Sequence, residues 1–216
     1  MAPVVKTLIA SNFIETKVLV TAQHRTMLDQ ALSLFNIEPD YDLDLMRNNQ
    51  GLFEITNGVL SGVRTVLGDY KPDIVLVHGD TTTAMATALA AFYSQIPVGH
   101  IEAGLRTGDL QSPWPEEMNR RFVGMTANLH FAPTEKAKNN LLQEGVDPQK
   151  IFVTGNSVVD ALLLISSTLA ADGTLTANFD KQYGIDNEKK LVLVTGHRRE
   201  SFGSGFERIC QAISDL

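Results

Sequence analysis

The chain has 216 residues, of which 44% are hydrophobic and 20% charged, and its formal net charge is −7 at pH 7. This is the composition of an ordinary globular protein with one domain, or one domain and part of another. The negative charge argues against a broad nucleic-acid-binding surface, which needs clustered Lys and Arg. No run approaches the roughly 20 apolar residues of a membrane span, and the start lacks the regions of a signal peptide. The single cysteine, Cys210, fits a reducing compartment, so we expect a cytoplasmic protein without a nucleic-acid or membrane partner.

Helix and strand patterns alternate along the chain, as is typical of a parallel sheet covered by helices. In chain order the pattern predicts a helix over residues 2–11, a strand over 17–21, a helix over 25–35, a polar segment over 39–49, a helix over 52–68, a strand over 73–77, a helix over 82–93, a strand over 97–101, a helix over 115–127, a strand over 129–132, a helix over 134–143, a strand over 151–153, a helix over 157–169, a polar segment over 171–188, a strand over 191–195 and a helix over 205–216.

These elements predict three parts of the chain. Residues 1–170 supply an α/β domain with a doubly wound parallel sheet, and residues 171–188 form a polar linker. Residues 189–216 contain one strand and one helix, which cannot enclose a core of their own. We therefore expect this last part to be the opening βα unit of a second, truncated domain of similar fold.

Three acidic residues mark a candidate site. Asp80 and Glu102 each follow a predicted strand, and Glu116 lies in the first turn of a predicted helix. In an α/β fold, ligands bind outside the carboxyl ends of the parallel strands, where such positions converge. The sequence therefore predicts acid and base chemistry on a small polar substrate.

Each of these carboxylates also has a structural explanation. Asp80 precedes three threonines and a helix, and it can serve as the N-cap of that helix. Glu102 can pair with Arg106, four residues further on. A helix N-terminus favours negative charge by about 0.3–1 kcal/mol, which accounts for Glu117 and competes with a catalytic role for Glu116.

His197 follows a predicted strand in a Gly-containing loop that also carries two arginines. Backbone N–H groups and cationic side chains in such a loop suit a diphosphate, and a solvated basic loop is the structural alternative. No Cys/His cluster or repeated acidic loop has metal-ligand spacing. No Gly-x-Ser-x-Gly motif is present, so a covalent serine mechanism is not expected.

Five ordered motifs carry a resemblance to a known family. They are HGDTTT at 78–83, GHIEAGLRTGD at 99–109, SPWPEEMNR at 112–120, TGNSVVDAL at 154–162 and TGHRRESFG at 195–203. Together they closely resemble the non-hydrolysing UDP-N-acetylglucosamine (UDP-GlcNAc) 2-epimerases. The resemblance covers essentially the whole chain, and five motifs in order are far more specific than any one of them.

The resemblance implies two Rossmann-like domains of the GT-B type, with the nucleotide held mainly by the second. Members of this family open with a strand and a Gly-Thr-Arg-Pro-Glu loop, followed by a helix that residues 1–3 resemble. We therefore expect the first strand of the sheet, the basic residues of that loop and most of the second domain to be missing. The chain alone should then have little or no activity. Full-length relatives are commonly homodimers.

The implied reaction is inversion at C2 of the sugar, which interconverts UDP-GlcNAc and UDP-N-acetylmannosamine (UDP-ManNAc) and serves polysaccharide biosynthesis. Because no ketone flanks the C2 proton, UDP is expected to leave C1 as a base takes that proton, and then to return. The resemblance gives Asp80, Glu102 and Glu116 acid or base roles. It gives His197 a catalytic role in contact with UDP, with Asp80 and Glu102 also binding substrate. No cofactor or metal is implied.

Two alternatives stay open at this point. The first is another GT-B enzyme, either a hydrolysing epimerase that releases free N-acetylmannosamine or a glycosyltransferase. The second is a non-catalytic remnant that binds a partner subunit. The chemistry of the product separates the first alternative from a non-hydrolysing epimerase, since only the latter returns a UDP-linked mannosamine.

Overall fold

The computed structural model describes residues 1–22, 25–45, 47, 50–186, 188–194 and 203–215. The chain divides into two compact units, Met1–Ala161 and Leu162–Leu216. This division falls nine residues before the end of the predicted first domain at residue 170. The three-part domain organisation therefore stays a prediction.

Helices and strands alternate through most of the described residues. The helices are α1 (Ala2–Ile9), α2 (Arg25–Phe35), α3 (Leu52–Asp69), α4 (Thr82–Tyr93), α5 (Glu116–Thr126), α6 (Glu135–Gln143), α7 (Ser157–Ala171), α8 (Gly173–Tyr183) and α9 (Ser204–Ser214). The strands are β1 (Leu19–Val20), β2 (Tyr41–Asp42), β3 (Val75–His78), β4 (Val98–Ile101), β5 (Leu129–Ala132) and β6 (Ile151–Val153). A single 3₁₀ turn, Pro148–Lys150, precedes β6.

The strands form two parallel sheets. One has two strands in the order β1–β2, and the other has four in the order β3–β4–β5–β6. The predicted parallel α/β architecture is confirmed, with the described strands divided between two sheets. Strand β2 lies in the segment 39–49, for which the sequence predicts only a polar connection. Two residues are too short to show a period-2 pattern, which is why the sequence does not reveal this strand.

The larger core lies between the four-stranded sheet and helices α3 and α4. Val59, Val63 and Leu67 recur every four residues on α3 and are at most 7% exposed, so they form one apolar stripe. Val77 and Val98 belong to the same core on the sheet side. Helix α4 contributes five buried alanines, whose small side chains allow close packing. Full burial of a Val or Leu side chain contributes about 1.5–3 kcal/mol.

A second core cluster lies beside α6. Its buried members are Ala103, Ala132, Ala137, Leu141 and Ile151. Gly104 passes directly over this cluster with φ +84°, a left-handed conformation. A Cβ at Gly104 would collide with the backbone carbonyl of Ala137, so no larger residue fits. This close contact fixes the start of the loop that follows β4.

The second unit differs from the sequence prediction in two places. The segment 171–188 is predicted as a polar connection, yet it contains α8, whose N-cap Asp172 accepts hydrogen bonds from two backbone amides at 3.0 Å. The predicted strand over 191–195 is wrong for residues 191–194, which form no strand. A strand requires a partner for its backbone groups, and no described segment pairs with these residues. The predicted helix over 205–216 is confirmed as α9.

No single helix among the described residues is long and apolar enough to cross a membrane. Helices α7 and α8 meet the length and composition criteria only when taken together, and the chain bends by 101° between them.

Candidate active site

Polar side chains collect just beyond the carboxyl ends of β3, β4 and β6. The backbone turns through the left-handed region at each of these ends, with φ +71° at Gly79, +66° at Glu102 and +79° at Gly155. Asp80 and Asn156 directly follow the two glycines. Because ligands of α/β proteins bind outside the carboxyl ends of parallel strands, this edge of the sheet is the candidate active site.

The side chain of Asp80 binds an arginine rather than capping α4. The N-cap of α4 is Thr81, whose hydroxyl accepts a hydrogen bond from the Ala84 amide at 3.1 Å. The Asp80 carboxylate instead accepts a charge-assisted hydrogen bond from Arg120, which lies on α5. The backbone carbonyl of Asp80 accepts an uncharged hydrogen bond from Asn119 Nδ2 at 2.9 Å. The capping explanation for Asp80 is therefore wrong.

Glu117, next to the predicted Glu116, is the most heavily bonded carboxylate of the site. Its side chain is fully buried. It accepts hydrogen bonds from the amides of Thr107 (3.1 Å) and Gly108 (3.3 Å) and from the guanidinium groups of Arg120 (3.4 Å) and Arg121 (3.1 Å). Burial raises the pKa of the Glu117 carboxyl, but these donors outweigh burial and hold the pKa below its ordinary value.

Glu102 is held more loosely than Asp80. Its Oε1 accepts a hydrogen bond from Asn156 Nδ2 at 3.3 Å, and its Oε2 lies 4.0 Å from His78 Nε2. The same carboxylate lies against the backbone of Gly79, since a Cβ built there would be 3.4 Å from Glu102 Oε2. Glu102 and Asp80 are thus neighbours across the Gly79 turn.

The pairing of Glu102 with Arg106 that the sequence allows is not formed. Arg106 instead makes a bidentate ion pair with Glu144, with Nε–Oε1 and Nη2–Oε2 distances of 2.7 Å. No Lys or Arg lies within ion-pair distance of Glu102 in the part of the chain that the structure describes. Glu102 therefore forms no salt bridge with a described Lys or Arg.

Two histidines near the carboxylates have lowered pKa values. Burial lowers the pKa of His78, helped by the nearby N-terminal amino group, while Glu102 and Asp80 act in the opposite direction. Burial lowers the pKa of His100 to about 4. His100 Nε2 lies 2.8 Å from the carbonyl oxygen of Gly79, and because a carbonyl only accepts, this nitrogen carries the hydrogen. His100 therefore fixes the turn between Asp80 and Glu102.

The two remaining predicted site residues are not joined to this group. Glu116 lies half-buried in the first turn of α5. Its side chain forms no hydrogen bond or ion pair with another described residue. His197 lies outside the described residues. The structure thus brings together Asp80 and Glu102, whereas the catalytic roles of all four residues remain predictions.

The sequence prediction omitted three residues that hold the site: Arg120 and Asn156 contact the carboxylates, and Asn119 contacts the backbone carbonyl of Asp80. The spacing of Arg120 and Arg121, three and four residues after Glu117, favours ion pairs on one helix face and was a usable signal. Asn156 follows a predicted strand, as Asp80 and Glu102 do. The contacts between Asp80 and residues of α5 span about 40 positions, and nothing in the local pattern indicates them.

Two adjacent carboxylates beside a neutral imidazole can accept and donate protons within one small space. Among the described residues, no group of three or more His, Cys, Asp or Glu side chains is arranged to hold a metal ion.

Comparison with known proteins defines the family. Residues 6–216 match the family model described as UDP-N-acetylglucosamine 2-epimerase. The chain belongs to this epimerase family. A UDP-N-acetylglucosamine 2-epimerase of Salmonella typhimurium is 58% identical over 217 residues, a match that covers 100% of this chain and 58% of the relative. The chain thus spans little more than half the length of the curated epimerases that it matches.

Solved structures agree with this assignment. The crystal structure of UDP-GlcNAc 2-epimerase from Neisseria meningitidis bound to UDP-GlcNAc superposes with a TM-score of 0.94 at 52% identity, covering 100% of this chain and 58% of that one. A complex of Staphylococcus aureus MnaA with UDP superposes with a TM-score of 0.86 at 46% identity, covering 100% and 55%. These matches confirm the predicted family and its Rossmann-like, GT-B-type fold.

Proposed function

We propose that the protein of which this chain forms part interconverts UDP-GlcNAc and UDP-ManNAc as a non-hydrolysing 2-epimerase. The observation that carries the proposal is the pair Asp80 and Glu102, two neighbouring carboxylates with unequal surroundings at the ends of β3 and β4. The Neisseria meningitidis relative, which has the same fold, is bound to UDP-GlcNAc. Both observations favour proton transfer on the sugar of a nucleotide sugar.

The proposed reaction avoids an unstabilised carbanion. A carboxylate takes the C2 proton while the C1–O bond to UDP breaks, so that the C2–H electron pair forms a C1=C2 double bond and the C1–O pair leaves with UDP. The intermediates are 2-acetamidoglucal and UDP. In the second half, a UDP oxygen attacks C1 and C2 receives a proton on its other face. The first half needs a base on one face of the sugar, and the second half needs an acid on the opposite face.

The surroundings of the two carboxylates suggest how they divide these roles. Asp80 accepts a charge-assisted hydrogen bond from Arg120, which orients its carboxylate, so we assign Asp80 as the base for UDP-GlcNAc. Glu102 faces the neutral His78 and the amide of Asn156, and we assign it to proton transfer on the other face. Glu116 is the third acid–base candidate. His197 is proposed to contact the departing UDP.

A chimera tests the proposal directly. The 216 residues would replace the matching part of the Salmonella typhimurium epimerase, to which they are 58% identical. In D₂O with UDP-GlcNAc, the chimera should form UDP-ManNAc with deuterium at C2, as read by NMR. Free N-acetylmannosamine would instead indicate a hydrolysing enzyme. A folded chimera that releases no product and exchanges no deuterium would favour a non-catalytic remnant.

The chain by itself is expected to show little or no turnover in the same assay, because it spans 58% of the length of its relatives. Turnover near that of the Salmonella typhimurium enzyme would contradict this expectation. The unaltered chain should be measured beside the chimera at equal concentration, so that the comparison depends only on the added segments.

We also propose that the full-length protein is a cytoplasmic homodimer. Phe92 and Tyr93 are 58% and 69% exposed, and they border a cavity of about 530 Å³ at the end of α4. Exposed aromatic side chains of this kind are enriched at protein interfaces. Light scattering should give twice the monomer mass, and a monomer that persists at micromolar concentration would contradict the proposal.

The cytoplasmic location is supported by the single cysteine and is testable by cell fractionation.

A further inference from the structure

Two consecutive arginines of α5 have different partners. Arg120 has a side chain that is 12% exposed, and it contacts both the Asp80 carboxylate and Glu117, the latter at 3.4 Å. Arg121 is 40% exposed and contacts Glu117 at 3.1 Å, with no second carboxylate among the described residues. Arg120 therefore connects two carboxylates, and Arg121 offers a matched control on the same helix.

The other side of Glu117 holds the loop that follows Glu102. The amides of Thr107 and Gly108 donate to the two carboxylate oxygens of Glu117. Thr107 Oγ1 also donates to the carbonyl oxygen of Ser112 at 2.6 Å, which joins the two ends of the loop. A fully buried carboxylate thus ties residues 107–112 to α5, and its removal would leave the loop amides without acceptors.

The backbone and the side chain of Asp80 are held by different residues. Asn119 binds the backbone carbonyl of Asp80, whereas the hydrogen bond to the Asp80 carboxylate comes from Arg120. A guanidinium carries its donors in a rigid planar fork, so one arginine can bind two carboxylates in a fixed mutual orientation. A lysine at the same position would supply a point charge on a flexible side chain, without this fixed geometry.

We propose that Arg120 is a positioning residue, which sets the orientation of the Asp80 carboxylate according to the placement of the loop that Glu117 holds. Were Arg120 present only to neutralise Glu117, Arg121 and the two loop amides would already satisfy that carboxylate. The contact with Asp80 would then have no function. The catalytic consequence of this coupling rests on the proposed function, while the coupling itself does not.

Carboxyl NMR of the whole chain tests the coupling without substrate. Aspartate labelled with ¹³C at the carboxyl carbon is incorporated, and the Asp80 signal is assigned as the one lost in Asp80→Asn. At pH 7, Arg120→Gln should shift this signal and Arg120→Lys should shift it less, because the lysine keeps a charge. Arg121→Gln should leave it in place. Amide spectra check that each variant is folded.

The path through Glu117 is tested by a double substitution. Glu117→Gln should shift the Asp80 signal in the wild-type chain and should add nothing to the shift already caused by Arg120→Gln. An unmoved Asp80 signal in folded Arg120→Gln would overturn the proposal, as would an equal shift in Arg121→Gln. If Glu117→Gln acts equally in both backgrounds, Arg120 does not transmit its effect. None of these outcomes depends on turnover, so a failure of the epimerase assignment would be seen separately.

Discussion

Asp80 and Glu102 both lie just beyond the ends of neighbouring strands, yet the protein holds them in different ways. Asp80 is fixed through its backbone by Asn119 and through its carboxylate by Arg120. Glu102 has a longer hydrogen bond, 3.3 Å, to Asn156 and a backbone in the left-handed region. One carboxylate is thus held by strong interactions from a helix, while the other has a longer hydrogen bond and a strained backbone.

This difference suggests a division between a fixed and an adaptable group. Non-glycine residues with positive φ cost of order 1–3 kcal/mol and persist where the surrounding structure imposes them, often at functional sites. At Glu102, the buried β4 strand before it and the close packing of Gly104 after it impose the turn. This turn orients the Glu102 side chain toward Gly79 and His78 rather than into the core.

The largest expected effect separates the two carboxylates by activity. In the active chimera, Glu102→Gln should lower deuterium incorporation at C2 by about 10²–10⁴-fold, the usual contribution of a general acid or base. Its stability should change little, because a glutamine keeps the shape and can still accept from Asn156. Chemical denaturation and NMR of the product measure the two quantities.

Glu135→Gln is the matched control for this substitution. The Glu135 side chain is 71% exposed and lies 3.8 Å from Lys138 Nζ, so its loss should affect neither activity nor fold. If Glu102→Gln retained wild-type exchange while Asp80→Asn abolished it, the assignment of proton transfer to Glu102 would be wrong.

The second effect concerns His100, which links the two carboxylate regions through Gly79. The unfolded chain takes up a proton at His100 near pH 6.5, whereas the folded chain does so only near pH 4. The unfolded state therefore binds more protons between these values, and stability is lost as the pH falls through this window. From pH 7 to pH 5 the loss should be about 2 kcal/mol, measured by urea unfolding.

His100→Gln should remove most of this pH dependence, since glutamine can donate to the Gly79 carbonyl but does not titrate. His78 and His130, whose pKa values burial also lowers, leave a remainder. Carboxylates do not explain a loss above pH 5, because Glu117 has an ordinary value of 4.5 and a folded value below it. An unchanged pH profile in folded His100→Gln would contradict this account.

The third effect reverses the order of the two carboxylates. Asp80→Asn leaves the nearly buried Arg120 without one of its two carboxylates, and it should cost about 1.5 kcal/mol after allowance for the 30% exposure of Asp80. Glu102→Gln should cost about 0.5 kcal/mol or less, since no Lys or Arg among the described residues loses an ion-pair partner. Equal losses in urea unfolding would show that Asp80 is no more firmly held than Glu102.

Local sequence patterns predict most of the fold and the positions of Asp80 and Glu102. The helix α3 has a clear apolar period and the strand β4 is buried throughout, and the ends of such strands mark where ligand-facing residues lie. The short strand β2 and the helix α8 lie in segments with a polar composition, which conceals them. The exposed apolar run 191–194 shows the opposite error, since β propensity alone does not supply a partner strand.

The surroundings of the site residues follow from tertiary contacts that periodicity does not encode. The sequence allows Arg106 to pair with Glu102, and only the fold brings Glu144 into its reach from 38 positions away. The same holds for Arg120 and Asp80, which are 40 positions apart. Which carboxylate is neutralised, and hence how the two differ, is decided by the packing of α5 and α6 against the sheet.

The smallest effect isolates the backbone strain at Glu102. Glu102→Gly and Glu102→Ala both remove the carboxylate, but only glycine adopts φ +66° without steric cost. The glycine variant should therefore be more stable than the alanine variant by about 1 kcal/mol, although glycine at an ordinary φ is the less stable of the two. Urea unfolding of both variants at pH 7 gives the difference directly. If the alanine variant were equally or more stable, the turn would not be strained. The weaker interactions of Glu102 would then be explained only by the lack of a Lys or Arg partner among the described residues.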